Sequence, residues 1–217
     1  SSLARLKDGA YMALFHDDGR FLRENGKKSV FTVYKTISRD GGRTWSAPEA
    51  IASRADVDLC EPGLVRSPDG REIAVLLREN RRARNSFVIF SRDEGRTWSE
   101  PAELPLALTG DRHVARYAPD GRLFVTFRDM AAGSPTKGDW VGWVGTYDDL
   151  ARGRPGQYRV RLMDNQDSWD AAYAGLELLP DGTFVTTTYG HWAAGESPYI
   201  VSVRLTLKEL DARARAR

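Results

Sequence analysis

A chain of 217 residues, 41% hydrophobic and 29% charged, is long enough to bury a sizeable core and has the make-up of a soluble globular protein. A formal net charge of +2, from 32 basic and 30 acidic residues, gives no case for a general nucleic-acid or membrane surface, and no apolar run is long enough to span a bilayer. Cys60 is the only cysteine, which excludes an intrachain disulfide and a thiolate metal centre; in "DLCEPGLV" it reads as a small buried hydrophobe.

The basic side is uneven in kind, with 26 arginines against six lysines. Arginine is the side chain best shaped to hold a planar carboxylate, so its placement matters. The chain opens on "SSLARLKDGAYMALF" with neither an initiator Met nor a secretory leader. Its start is therefore read as removed. Secreted and periplasmic locations both stay open.

Four stretches then share one grammar: "RLKDGAYMALF" (5–15), "RSPDGREIAVLLR" (66–78), "RYAPDGRLFVTFR" (116–128) and "ELLPDGTFVTTTY" (177–189). Each has an apolar lead, an Asp-Gly and a run rich in β-branched and aromatic residues, which is a hairpin signal. Another strand is expected after each: "SVFTVYKTIS", "NSFVIFS", "WVGWVGTY" and "YIVSVRLTL". A repeat of this length built from strands reads as a propeller blade, with units at about 1–48, 49–101, 102–160 and 161–217. A β-sandwich with similar hairpin spacing is the alternative. The closing "TLKELDARARAR" reads as a terminal helical turn.

The octapeptide "SRDGGRTW" (38–45) returns as "SRDEGRTW" (91–98), with seven of eight letters kept. Ser and Asp suit capping of backbone N–H groups, glycine suits a positive φ, and tryptophan suits packing on the blade edge. An EF-hand loop would need more oxygen ligands and a distal glutamate. The motif reads as a turn rather than as a catalytic or calcium site.

S-x-D-x-G-x-T-W resembles the Asp-box, or bacterial neuraminidase repeat, and the chain is similar to a sialidase-type β-propeller. The third unit keeps a remnant, "TYDD" (146–149). Asp-boxes also occur in non-catalytic propellers, other carbohydrate-active enzymes and sorting receptors, so the motif speaks for fold before chemistry. The resemblance implies an all-β propeller with about four blades present of six, N-terminally incomplete, its edges closed by the missing blades or a second chain. The Phe/Tyr-Arg-x-Pro arginine of such a first blade has no counterpart here.

Ligands of such folds sit at strand ends on one rim, which nominates the following residues. Glu61, entering one strand, and Arg78, closing the next, resemble the sialidase glutamate that pairs with a catalytic tyrosine and an arginine that holds a sugar carboxylate; the bland reading is a rim salt bridge. Tyr173 resembles the catalytic tyrosine, with Ala174 in place of a serine. A phenol is a poor nucleophile until a carboxylate takes its proton. Asp170 lies three residues upstream, and Tyr189 and His191 end the following strand in "YGHW", groups able to bond sugar hydroxyls. Arg112 and Arg128 occupy matching places in the third unit and could complete a carboxylate clamp. His113 is a candidate hydroxyl donor, more often packing at such a place. The resemblance puts a general acid near Asp17 or Asp18, whose pKa burial would have to raise; "DDGR" is equally a surface turn.

The leading expectation is a sialidase-like, exo-acting glycoside hydrolase that releases a terminal acidic sugar such as sialic acid from a glycan, needing no metal or cofactor. A non-catalytic carbohydrate-binding propeller, an enzyme on another sugar and a structural scaffold are the alternatives.

Overall fold

The computed structural model describes residues 2–22, 26–167 and 169–215. The fold is all-β, of propeller type: four antiparallel up-and-down sheets, each a blade. The chain divides into two compact units, one ending at Leu104 and the next beginning at Pro105.

In the first unit, β1 (Ser2–Arg5), β2 (Tyr11–Asp17), β3 (Thr32–Ser38) and β4 (Glu49–Ser53) form one sheet in that order. Its second sheet is β5 (Leu59–Arg66), β6 (Ile73–Glu79), β7 (Phe87–Ser91) and β8 (Ala102–Glu103). Met12, Leu14 and Val33 of the first sheet share a buried core with Leu59, Val75, Leu77, Phe87 and Ile89 of the second. Five consecutive residues of β6 are buried, because a blade covers both faces of its inner strands.

The second unit holds β9 (Gly110–Tyr117), β10 (Leu123–Asp129), β11 (Trp140–Gly145) and β12 (Tyr158–Met163), then a three-stranded sheet of β13 (Gly175–Leu178), β14 (Phe184–Gly190) and β15 (Tyr199–Leu205). Its core joins Phe124 and Val144 to Leu176, Phe184 and Leu205. The "TYDD" remnant opens a short helix, α1 (Tyr147–Ala151), where Thr146 and Asp149 cap one another. The terminal turn is a full helix, α2 (Leu207–Arg215), and Thr206 and Glu209 form the same reciprocal bonds at its start. Asp211 on α2 is gripped by Arg122 and by the Tyr158 hydroxyl, which anchors the helix to this unit.

All four Asp-Gly hairpins form as their residues dictate. Gly9, Gly70, Gly121 and Gly182 have φ between +70° and +87°. The preceding aspartates accept the N–H two residues on, at 2.9–3.1 Å. The expected unit boundaries need correction, however. The strand after each Asp-box belongs to the blade before it: β4 pairs with β3 and β8 with β7, while β12 straddles residue 160. These outer strands are short or largely exposed, so their sequences carry no apolar alternation to mark them.

The two octapeptides fold alike. Ser38 and Ser91 donate to Asp40 and Asp93 and accept from Gly42 and Gly95; the Thr44 and Thr97 amides and hydroxyls donate to the same aspartates at 2.9 and 2.6 Å. Trp45 and Trp98 each donate to their glycine carbonyl at 3.1 Å. The Ser, Asp, Thr and Trp polar groups all serve the turn, while Arg39, Arg92 and Glu94 form ion pairs outside it, so the motif is structural. The threonine hydroxyl bond, followed by the amide, holds both carboxyl groups down at about 2. A depressed folded-state pKa contributes stability above the unfolded value near 3.8 that is lost as pH falls toward 2. Asp93→Asn is therefore expected to flatten the acid limb of stability over that window; an unchanged acid titration of the urea midpoint would refute the assignment.

Candidate functional site

In or just before the first strand of three sheets the backbone turns left-handed. Glu61, Arg112 and Ala172 have φ of +49°, +61° and +67°, a left-handed conformation that side-chain-bearing residues seldom adopt. They lie at similar places, eight, eight and nine residues before Asp69, Asp120 and Asp181. The ladders shift beside the first two, between Cys60 and Gly63 and opposite Arg112 between Thr126 and Arg128. Such bulges re-aim a side chain out of the strand alternation and concentrate at functional sites. Glu61 and Arg112 are themselves such positions, and Tyr173 follows Ala172.

In the first unit, Arg78 Nη1 donates to Glu61 Oε1 at 2.9 Å, and both side chains are mostly buried. The Glu61 amide donates to His16 Nδ1 at 3.3 Å, which requires that nitrogen to be unprotonated. Burial lowers the His16 pKa, against a smaller opposing pull from Glu61. His16 stacks on Phe31 with centroids 5.9 Å apart. Sequence reasoning passed over His16; its register opposite the strand carrying Glu61 becomes visible only when β2 and β5 pack together. Asp17 is buried and accepts the amides of Gly19, Phe21 and Leu22, so it anchors its own loop. Asp18 accepts Arg20 Nε at 2.9 Å, and that bond holds its carboxyl below the ordinary 3.8, the opposite direction to the one a general acid requires.

The second unit gathers five of the nominated residues. The Tyr189 hydroxyl donates to Asp170 Oδ1 at 2.9 Å, and His191 Nε2 lies 3.0 Å from Asp170 Oδ2. Tyr173 stacks on Tyr189, with centroids 6.4 Å apart and planes 18° from parallel. Arg112 lies over the Tyr173 ring and donates to the Ala172 carbonyl at 2.8 Å. Tyr173 is 63% exposed and Trp169 is 59% exposed, so the cluster offers aromatic surface beside hydroxyl and carboxylate groups. Two donors, His191 and then Tyr189, pull the Asp170 pKa down; His191 is raised, chiefly by Asp170, and Tyr189 is raised by burial and then by Asp170.

Two nominated residues face inward instead. Arg128 Nε and Nη2 both donate to the fully buried Asp111, and Nη1 donates to the carbonyls of Trp169 and Ala171. Four of its five donors are committed to the chain itself, so its guanidinium shapes the segment that carries Tyr173. His113 is buried, contacts the Leu108 carbonyl at 2.8 Å and packs on Phe127, and so serves the core.

Among solved structures, the fold is similar to a protein of unknown function from Dyadobacter fermentans, with a TM-score of 0.73 and 16% identity over 93% of this chain and 51% of that one. It is also similar to the intramolecular trans-sialidase of Ruminococcus gnavus, with a TM-score of 0.60 and 15% identity over 96% of this chain and 43% of the other. The endo-arabinase of Bacteroides thetaiotaomicron gives 0.61 and 12% over 94% and 74%. The chain thus spans about half the length of the first two. No curated protein sequence matches. The described residues include no helix long and apolar enough to cross a membrane. The family described as the BNR repeat-like domain matches residues 13–172, and the chain, with its repeated Asp-boxes and bladed sheets, belongs to that family.

Proposed function

We propose that this chain is part of a carbohydrate-active propeller, with the Tyr173 cluster as its glycan-recognition site and hydrolysis of a glycosidic bond as its chemistry. The carrying observation is the convergence of Arg112, Tyr173, Tyr189, Asp170 and His191 on one exposed patch. Aromatic faces suit the apolar face of a sugar ring, and the polar groups beside them suit its hydroxyls. Solved proteins of the same fold include a trans-sialidase and an endo-arabinase, which supports a carbohydrate ligand without selecting the sugar.

The finer reading is an exo-acting enzyme on a terminal acidic sugar such as sialic acid. Tyr173 would react at the anomeric carbon and Glu61 would take its proton; Asp18 would protonate the leaving oxygen only once its bond to Arg20, which holds its pKa low, is broken. Arg78 and Arg112 would grip the carboxylate. Fluorogenic sialosides and arabinosides test both levels. Tyr173→Phe and Glu61→Gln are each expected to lower kcat by about 100-fold or more, with the double variant no worse than the weaker single one. Full rates in both variants would refute the mechanism.

A non-catalytic, glycan-binding role is the second reading. It is favoured by the pairing of Glu61 with Arg78 and by the lowered Asp18 pKa. Binding on a glycan array without turnover of any fluorogenic glycoside would select it, and neither binding nor turnover would overturn the carbohydrate reading.

A further inference from the structure

The segment carrying Asp167, Asp170 and Tyr173 has little regular structure of its own, yet it is bonded repeatedly to the end of β14. The Ala172 amide donates to the Tyr189 carbonyl at 3.0 Å, and the Gln166 amide donates to the His191 carbonyl at 2.7 Å. The His191 amide donates to Asn165 Oδ1 at 3.0 Å, and Tyr189 and His191 side chains close on the two oxygens of Asp170. His191 Nε2 also lies 3.7 Å from Asp167 Oδ2.

We propose that His191, as the imidazolium, is a positioning residue that clasps residues 164–167 and 169–174 to the end of β14 and so presents Tyr173 to the sugar. This rests on the reading of the cluster as the glycan-recognition site. The charged and titratable groups around the imidazole come from every neighbouring element. Asp167 and Asp170 lie on the clasped segment, Tyr189 on β14, and Glu196, whose backbone also bonds the ring, in the turn before β15. Arg112 on β9 acts on Tyr189, and Arg128 on β10 acts on Asp170.

Asp170 is lowered and so stays a carboxylate at neutral pH, while Tyr189 is raised and so stays a phenol. His191 is raised above 6.5, so its contribution is fully present below that value and is lost as pH rises through the higher folded-state pKa. The other bonds of the segment do not titrate in this range. The expected result is a looser segment at alkaline pH with the blades intact.

Hydrogen exchange of the whole chain tests this without a ligand. Between about pH 5.5 and about pH 8.5, after correction for the intrinsic exchange rate, the amides of residues 164–167 and 169–174 are expected to lose roughly five- to tenfold in protection. Amides of β10 and β11 are expected to keep theirs, which separates a local opening from unfolding. His191→Gln should lack the pH step and match the wild-type alkaline state at both pH values. Asp170→Asn should lower the His191 midpoint read by NMR. A wild-type chain with no step, or the same step in His191→Gln, overturns the clasp even if glycans bind. The step intact in a chain that binds no glycan overturns the glycan reading instead and leaves the clasp standing.

Discussion

Arg128→Met is expected to destabilise the second unit by about 3–5 kcal/mol, the usual cost of removing one partner from a buried ion pair. Asp111 is fully buried and receives two N–H groups from Arg128, so the substitution takes both of those bonds and that positive charge away from a carboxylate shielded from water. The carbonyls of Trp169 and Ala171 lose their donor in the same step. Urea unfolding followed by tryptophan fluorescence measures the effect. A midpoint unchanged by the substitution would refute the burial argument. Arg128→Met combined with Asp111→Leu removes both charges and should recover part of the loss, since no carboxylate is then buried without Arg128, while the two carbonyls still lack its N–H groups. The result also bears on function. Arg128 variants are expected to lose ligand binding because the segment bearing Tyr173 is no longer held, so such a loss is not evidence that Arg128 touches a sugar carboxylate.

The two octapeptides supply the second large effect, because nearly the same sequence has different surroundings. Gly95 has φ of +81°, and a Cβ there would come within 2.7 Å of the sulfur of Met12, which is fully buried. Its carbonyl also accepts from the buried Lys35 Nζ at 2.6 Å. Gly42 has φ of +89°, and its nearest contact would be the Trp45 ring at 3.7 Å. Gly42→Ala should therefore cost about 1–2 kcal/mol, the strain of a left-handed alanine. Gly95→Ala should cost about 2–5 kcal/mol, because overpacking against Met12 adds to that strain. Equal urea midpoints for the two variants would show that Met12 yields freely and that the second box is not wedged against β2.

Much of the fold was legible because a blade is a local object. Asp-Gly turns, β-rich runs and Asp-boxes are each written within a dozen residues, and all of them formed as read. The outer strands β4 and β8 were misassigned because an exposed strand of two to five residues leaves no pattern. The site was half legible. Strand-end position and the family resemblance nominated Glu61, Arg112 and Tyr173, and the left-handed Glu61, Arg112 and Ala172 fall at matching places once the units are compared. It did not separate Arg112, which lies over an exposed tyrosine, from Arg128, which is spent on Asp111. Both arginines sit at strand ends beside aspartates and aromatics, and sequence does not say which partner each will meet.

By itself, then, the sequence determined the all-β repeat, the turn chemistry and the strand ends that carry the candidate residues, because these depend on periodicity and backbone preference over short spans. Only the tertiary structure decided which of those residues point outward. That choice depends on partners 17 to 60 positions away, such as Asp111 for Arg128, Ala172 for Arg112 and His16 for Glu61. A buried charge must find its counter-charge wherever packing places one.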